Sequence, residues 1–209
     1  MHGVENWYMM IIMKSTPNKR TAGSRKEATH DRIVEVAARA IRRSGYGGTG
    51  VADIMKEAGL THGGFYAHFE SRDALLAEAG DRAGAESVAL AARLAAAAPP
   101  GQALQAIMQA YLSPQHIAAI ETGCPVSALC SEMPRQAPEV RRAATIHIKE
   151  MIDLIARQLP AWGQPQAHEQ AMTLLCSLIG ATTLARAVDD PALSQAFCAA
   201  MLKQLTPPA

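Results

Sequence analysis

Aromatic residues are scarce in this sequence: three phenylalanines, two tryptophans and four tyrosines among 209 residues. Alanine, leucine and methionine supply much of the apolar content instead, which disfavours a sheet and predicts an all-α fold. Cysteine is scarce too, at positions 124, 130, 176 and 198, with no CxxC pair and no zinc-ligand spacing. Reduced, mostly buried thiols are expected, with no metal and no cofactor. Long hydrophobic runs are missing. The opening "WYMMIIM" is only seven residues, has no basic segment ahead of it and is followed by charge, so it reads as neither signal peptide nor membrane span. It reads as a disordered leader, or as the product of a start codon set too early, since Met13 precedes an ordinary polar arm. The cytoplasm is the expected location, without a membrane partner.

Catalytic patterns are also missing. The histidines are scattered over separate segments, and no paired carboxylates stand at acid/base or ligand spacing. No nucleophile motif or phosphate loop occurs, because "GYGG" lacks the lysine and the strand-to-helix context of a P-loop. An enzyme is not expected. Overall charge is balanced at +1, but unevenly spread. Residues 1–72 hold 11 lysines and arginines against 7 acids, and residues 73–209 hold 9 against 12. A basic front on a mildly acidic body suits an anionic polymer at one end.

What the sequence does contain is helical punctuation. Residues 1–23 form a flexible basic arm. Ser24 with Glu27 spells a capping box, followed by Ile33, Val34, Ala37, Ala40 and Ile41 at helical spacing and a stop at Gly45. Ser71 then caps a helix that runs to the "PPG" at 99–101. This alanine-rich stretch has little to bury except against a neighbour, and would serve as a rigid connector. Further helices are expected over 102–112, over 138–159 with Pro138 at the first position, over 166–188, and from Asp190–Pro191 to about 204. The stretch 115–133, with Pro125, reads as irregular. Three units follow: a flexible N-terminal arm over 1–23, a first helical unit over 24–70 and a larger one over 71–209, which the resemblance below implies to be a DNA-binding domain and a ligand-binding and dimerisation domain.

The segment "VADIMKEAGLTHGGFYAHFE" at 51–70 carries the functional signal. Val51, Ile54, Met55 and Ala58 mark one buried helix face. Gly59 supplies the left-handed residue of a sharp turn, Leu60 plugs its inside and Thr61 caps the next helix. In that helix Phe65 and Phe69 point inward, which leaves His62, Gly63, Gly64, Tyr66, Ala67 and His68 outward. Helix, glycine turn and second helix is the geometry that presents a recognition helix to a major groove. Tyr66 and His68 can donate to phosphate oxygens, and two glycines near a helix start suit close backbone approach.

Residues 24–76 resemble the DNA-binding region of TetR/AcrR transcriptional regulators, through "SGY", "VADI", "EAGLTHGGFYAHF" and "SRDALL" in order and spacing. "GCPVSALCSE" and "TTLARAVDDPALSQ" resemble segments common in one subset of the family's C-terminal regions. The resemblance implies a ligand-responsive homodimer, usually a repressor, that binds palindromic double-stranded DNA and dimerises through its last two helices. Ala52, His62 and Gly64 become base-reading positions, with Thr61 and Gly63 beside them. Tyr66, His68 and Arg72 become phosphate contacts, helped by the Val51 amide. Gly50 stands where the family often caps with serine or threonine. Met55 replaces a smaller residue, and His62 and Gly64 stand where lysine and threonine are common, so the operator sequence does not carry over.

For the effector, the helices over 102–112, 138–159 and 166–180 are expected to enclose an apolar cavity. Met108, Tyr111, His147, Met151, Met172 and Cys176 are its candidate lining, and an apolar or aromatic small molecule its occupant. Leu178 and Phe197 are expected at the dimer interface. Two alternatives stay open: a thiol-based redox or electrophile sensor using Cys124 or Cys130, and a helical ligand- or protein-binding module without DNA function.

Overall fold

The computed structural model describes residues 22–205, so the leader and nearly all of the basic arm lie outside the described residues. Among the described residues every regular element is helical. In chain order these are α1 (Ala22–Ser44), α2 (Val51–Glu57), the short 3₁₀ helix α3 (His62–Ala67) and α4 (Arg72–Ala97). Then follow α5 (Ala103–Tyr111), α6 (Pro114–Ala118), α7 (Pro125–Leu129), α8 (Pro138–Ala156), α9 (Pro165–Ala187) and α10 (Pro191–Leu205).

The expected face of α1 is the buried one: Ile33, Val34, Ala37, Ala40 and Ile41 all sit in the core. Each large aliphatic there contributes about 1.5–3 kcal/mol by leaving water. The helix is already formed at Ala22, which places Ser24 inside the first turns and not at the cap expected for it. It stops at Gly45, whose φ of 74° is cheap only for glycine. Tyr46 follows and is sealed between α1 and α4. Burial, with Glu132 nearby, pushes its phenol up to about 12. The carboxylate of Glu132, from the distal half of the chain, accepts from the Tyr46 amide at 2.9 Å.

Ser71 caps α4 as its position suggests, its hydroxyl accepting from the Ala74 amide at 3.0 Å. At 26 residues α4 is about 39 Å long and passes from one core to another. Leu75, Leu76, Ala79 and Ala83 pack with α1 and the 51–70 segment, whereas Ala91 packs with α5, α8 and α9. Leu129 and Val140 join the first of these cores, so the boundary expected at 70–71 marks a helix cap without separating the packing. The imidazole of His147 on α8 lies against Gly84 of α4, where a Cβ would fall 2.4 Å from the ring.

Pro138, Pro165 and Pro191 each open a helix, and the Asp190 carboxylate caps α10 by accepting from the amides of Ala192 and Leu193. α9 and α10 pack together through Leu178, Ala181, Ala185 and Cys198. Leu178 is therefore core, against its expected place at a dimer face; the side of α9 that stays exposed carries Met172 and Leu184.

Candidate DNA-binding face and effector cavity

The 51–70 segment folds as helix, tight turn and helix. Gly59 takes φ 70°, and the Leu60 amide closes onto the Met55 carbonyl at 2.8 Å. Ile54, Met55, Phe65 and Phe69 are buried, the two phenylalanines stacked with centroids 5.6 Å apart. Caps differ from expectation. Gly50 is the N-cap of α2 and Thr61 that of α3, but neither gives a side-chain capping bond. Thr49 turns inward, donating to the Gly45 carbonyl at 2.6 Å. The second helix is also short, a single 3₁₀ run of six residues whose Gly64 amide donates to the Thr61 carbonyl at 3.0 Å.

On this face Tyr66 is 74 % exposed, and Ala52, Thr61, His62 and Gly63 are exposed around it. Val51 and Gly64 are half-buried. Neither glycine is required by the fold: a Cβ at Gly63 would meet nothing, and one at Gly64 would make ordinary contacts with Met55 Cε at 3.6 Å and Thr61 Oγ1 at 3.9 Å. Two of the expected phosphate contacts are otherwise engaged. Arg72 donates inward to the carbonyls of Tyr46 and of Thr49, the latter at 3.1 Å, tying the α1–α2 loop to α4. His68 lies half-buried, 6.1 Å from the ring of His30, with Nδ1 buried and unpartnered. Burial holds its pKa below the ordinary histidine value, with His30 and Lys26 adding to the effect. His30 itself bonds Glu78 of α4 at 2.6 Å and stacks on Phe69.

A cavity of about 270 Å³ opens between α4, α5, α8, α9 and the 113–124 segment. Its body is apolar, with Leu94, Ile107, Ile155 and Leu175 in the wall. Tyr111 and Met151 line it as expected. The other four candidates do not. Met108 is buried toward α9 and α10, while Met172 and Cys176 point outward from α9. His147 is held between the carboxylates of Asp81 (2.9 Å) and Glu150 (2.7 Å), pinning α4 to α8. In place of these, the structure brings in His116, Gly123 and Cys124.

These form a polar end to the cavity. His116 Nδ1 faces the Tyr111 carbonyl at 2.6 Å, and its Nε2 accepts from the Cys124 amide at 3.2 Å. Burial lowers the His116 pKa, keeping the ring in the neutral form that this pair of bonds requires. Arg186 of α9 reaches across to donate to the carbonyls of His116 and Ile117 and to the Ser127 hydroxyl. Cys124 is buried and free, at the start of α7, while Cys130 is exposed and free at its end.

The same segment touches α1. Arg42, whose side chain is 1 % exposed, donates to the Gly123 carbonyl at 3.3 Å and to Glu86 of α4 at 2.8 Å. Arg43 joins Glu121 beside the cavity to Glu57 of α2, at 3.1 and 2.9 Å. A wall of the cavity is thus bonded to the first helix of the DNA-binding unit and, through Arg43, to the second.

An exposed helix-turn-helix carried on a larger helical body is the architecture of a DNA-binding transcriptional regulator. Comparison with known proteins agrees. Residues 33–79 match the bacterial regulatory proteins of the tetR family, and residues 100–196 match the C-terminal domain of LmrA/YxaF-like transcriptional regulators. An uncharacterized HTH-type transcriptional regulator of Mycobacterium tuberculosis is 32 % identical over 173 residues, spanning 78 % of this chain and 87 % of that one. Among solved structures, a TetR-family regulator from Agrobacterium tumefaciens has a TM-score of 0.73 at 25 % identity, covering 87 % of this chain and all of that one. A TetR regulator from Chloroflexus aurantiacus gives 0.71 at 25 %, covering 87 % and 96 %. The chain belongs to the TetR family of transcriptional regulators. No described helix is long and apolar enough to cross a membrane.

Proposed function

We propose that this regulator is a cytoplasmic repressor that grips a palindromic operator as a homodimer and lets go when a small apolar or aromatic effector fills the cavity. The observation that carries this reading is the shared 119–124 wall, which lines the cavity and is bonded to α1 through Arg42. An effector that favours a displaced wall biases the attitude of the helix-turn-helix. Two half-sites one turn apart lie about 34 Å from each other, so a small tilt in each subunit prevents both from docking. Dimerisation is supported by the uncovered face of the last two helices, where Met172, Leu184 and Leu193 are exposed beside the small residues Ala196, Ala199 and Ala200.

In this reading His62 and the backbone at Gly63 and Gly64 approach base edges, with Ala52 and Thr61 beside them. Tyr66 donates to phosphate, and the Val51 amide points the same way. Arg72 acts instead through position, holding the α1–α2 loop on α4, and His68 packs inward beside His30 at the end of α3. A gel-shift titration with the DNA upstream of the protein's own gene tests it. Binding should weaken steeply as salt rises. Tyr66→Phe should lose at least about tenfold per half-site on all sequences, one charge-assisted hydrogen bond being worth about 1.5–3 kcal/mol. His62→Ala should relax preference at one or two base pairs. Undiminished binding by the Tyr66 variant, or equal sequence-independent losses from both, would overturn the assignment.

A second reading, thiol sensing, is favoured for Cys124 alone because it lines the cavity. If it holds, N-ethylmaleimide should abolish DNA binding by the wild type and spare Cys124→Ser.

A further inference from the structure

The cavity carries a polarity that narrows its occupant. None of its lining side chains is an aspartate, glutamate, lysine or arginine. At its polar end stands Arg186, which has no carboxylate partner among the described residues. It spends three of its five N–H donors on two carbonyls and a hydroxyl, leaving two. Beside it stands the Tyr111 hydroxyl, buried among the Cys124 and Ser127 side chains with no bond of good geometry to either. Ser127 spends its one proton on the Cys124 carbonyl at 2.9 Å and accepts from Arg186 at 2.9 Å. The uncharged Ser87, Ser113, Gln115 and Thr122 also line the wall, and His116 is engaged at both nitrogens. An unused buried donor is costly, about 1–3 kcal/mol, and a partly buried cation without an anion more so.

We propose that the effector is an apolar acid: a hydrophobic body with one carboxylate or acidic phenol, whose oxyanion takes the Tyr111 hydroxyl bond within the field of Arg186. This inference rests on the effector reading of the same cavity and adds the sign of the ligand's charge. Burial keeps Tyr111 protonated far above its ordinary pKa, so it serves as a donor throughout the physiological range. A lipophilic cation would meet the opposite situation, with no acidic side chain in the wall and a guanidinium at its end. Gly123 adds room at this point, since a Cβ there would stand 2.8 Å from Arg186 Nη2 and 3.2 Å from His116 Nε2.

Three probes sharing one ring system decide the matter: 2-naphthoate, naphthalene and 2-naphthylmethylammonium, titrated into the full-length protein by calorimetry. Their displacement by one another would show a common site. Naphthoate should bind at least about tenfold tighter than naphthalene, the scale of a hydrogen bond to a charged group, and the ammonium compound weakest of all. Tyr111→Phe should erase most of the naphthoate advantage while leaving naphthalene within about twofold. Should the ammonium compound match naphthoate, or naphthalene bind as well as the acid, the proposal fails while the cavity stands as an effector site. If none of the three binds, the effector reading of this cavity fails as well. The comparison of probes on the wild type stands even if the variant misfolds.

Discussion

Replacing Arg42 by methionine separates two roles of one buried guanidinium. The native side chain is 1 % exposed and bonds the Ala38 carbonyl, the Gly123 carbonyl and Glu86. Methionine keeps most of the volume, so no large cavity opens. Ala38 keeps its helical bond, and Glu86, 42 % exposed, returns to water at little cost. The buried Gly123 carbonyl is left unpaired, which costs about 1–3 kcal/mol, and the attraction to Glu86 is lost. Against this stands the relief of no longer burying a cation. The net is about 2 kcal/mol of destabilisation, or roughly 4–8 °C in Tm for a chain of this size, read by urea and thermal unfolding. The second role is coupling. The effect of 2-naphthoate on operator affinity should shrink by about tenfold or more in the variant, because the cavity wall no longer holds α1. A variant within about 0.5 kcal/mol of wild-type stability, or one that still releases DNA normally, would refute the reasoning.

Acid should weaken the fold through His116 and His68. Burial sets both below the unfolded value of 6.5, so between the two values the unfolded chain binds more protons. Their contribution is fully present above pH 6.5 and is lost as pH falls through 6.5 toward the folded values. Urea midpoints at pH 7.5 and 5.5 should show this, with a shallower slope in His116→Gln; an unchanged slope in that variant contradicts the assignment. At the proposed subunit interface, Leu184→Glu places a charge on a side chain that is 50 % exposed in the monomer. Sedimentation should show a shift from dimer to monomer with the fold intact, and a variant that stays dimeric removes α9 from the interface.

The helical fold and the shape of the recognition unit were legible because their determinants are local. A serine cap at 71, prolines at 138, 165 and 191, and left-handed glycines at 45 and 59 each act within a few residues. The effector cavity was legible only in outline. α9 is apolar nearly all round, so spacing alone does not say that Leu178 faces inward while Met172 and Cys176 face out. His147 reads as a cavity residue until Asp81, 66 positions earlier in the chain, takes one of its nitrogens. The polar end escaped for the same reason, since Arg186 reaches carbonyls 69 and 70 residues away. The one advance signal was that Gly123, Cys124, Ser127 and Arg186 fall within "GCPVSALCSE" and "TTLARAVDDPALSQ", the two segments that resemble one subset of the family; Tyr111 and His116 lie outside both. Arg72 looked free for phosphate because nothing local reveals that the Tyr46 and Thr49 carbonyls lie within its reach.

The seat of His147 on Gly84 turns α4 into a lever with a fixed fulcrum. With the ring lodged against bare backbone and held by Asp81 and Glu150, sliding of α4 along α8 would break this seat, whereas a rock about it would not. Residues 90–94, at the cavity, sit about 9–15 Å from this fulcrum, and Arg72, at the DNA end, about 18 Å on its other side. Were α4 to rock there when the cavity fills, the displacement at Arg72 would be reversed in direction and about one to two times as large as that at the cavity.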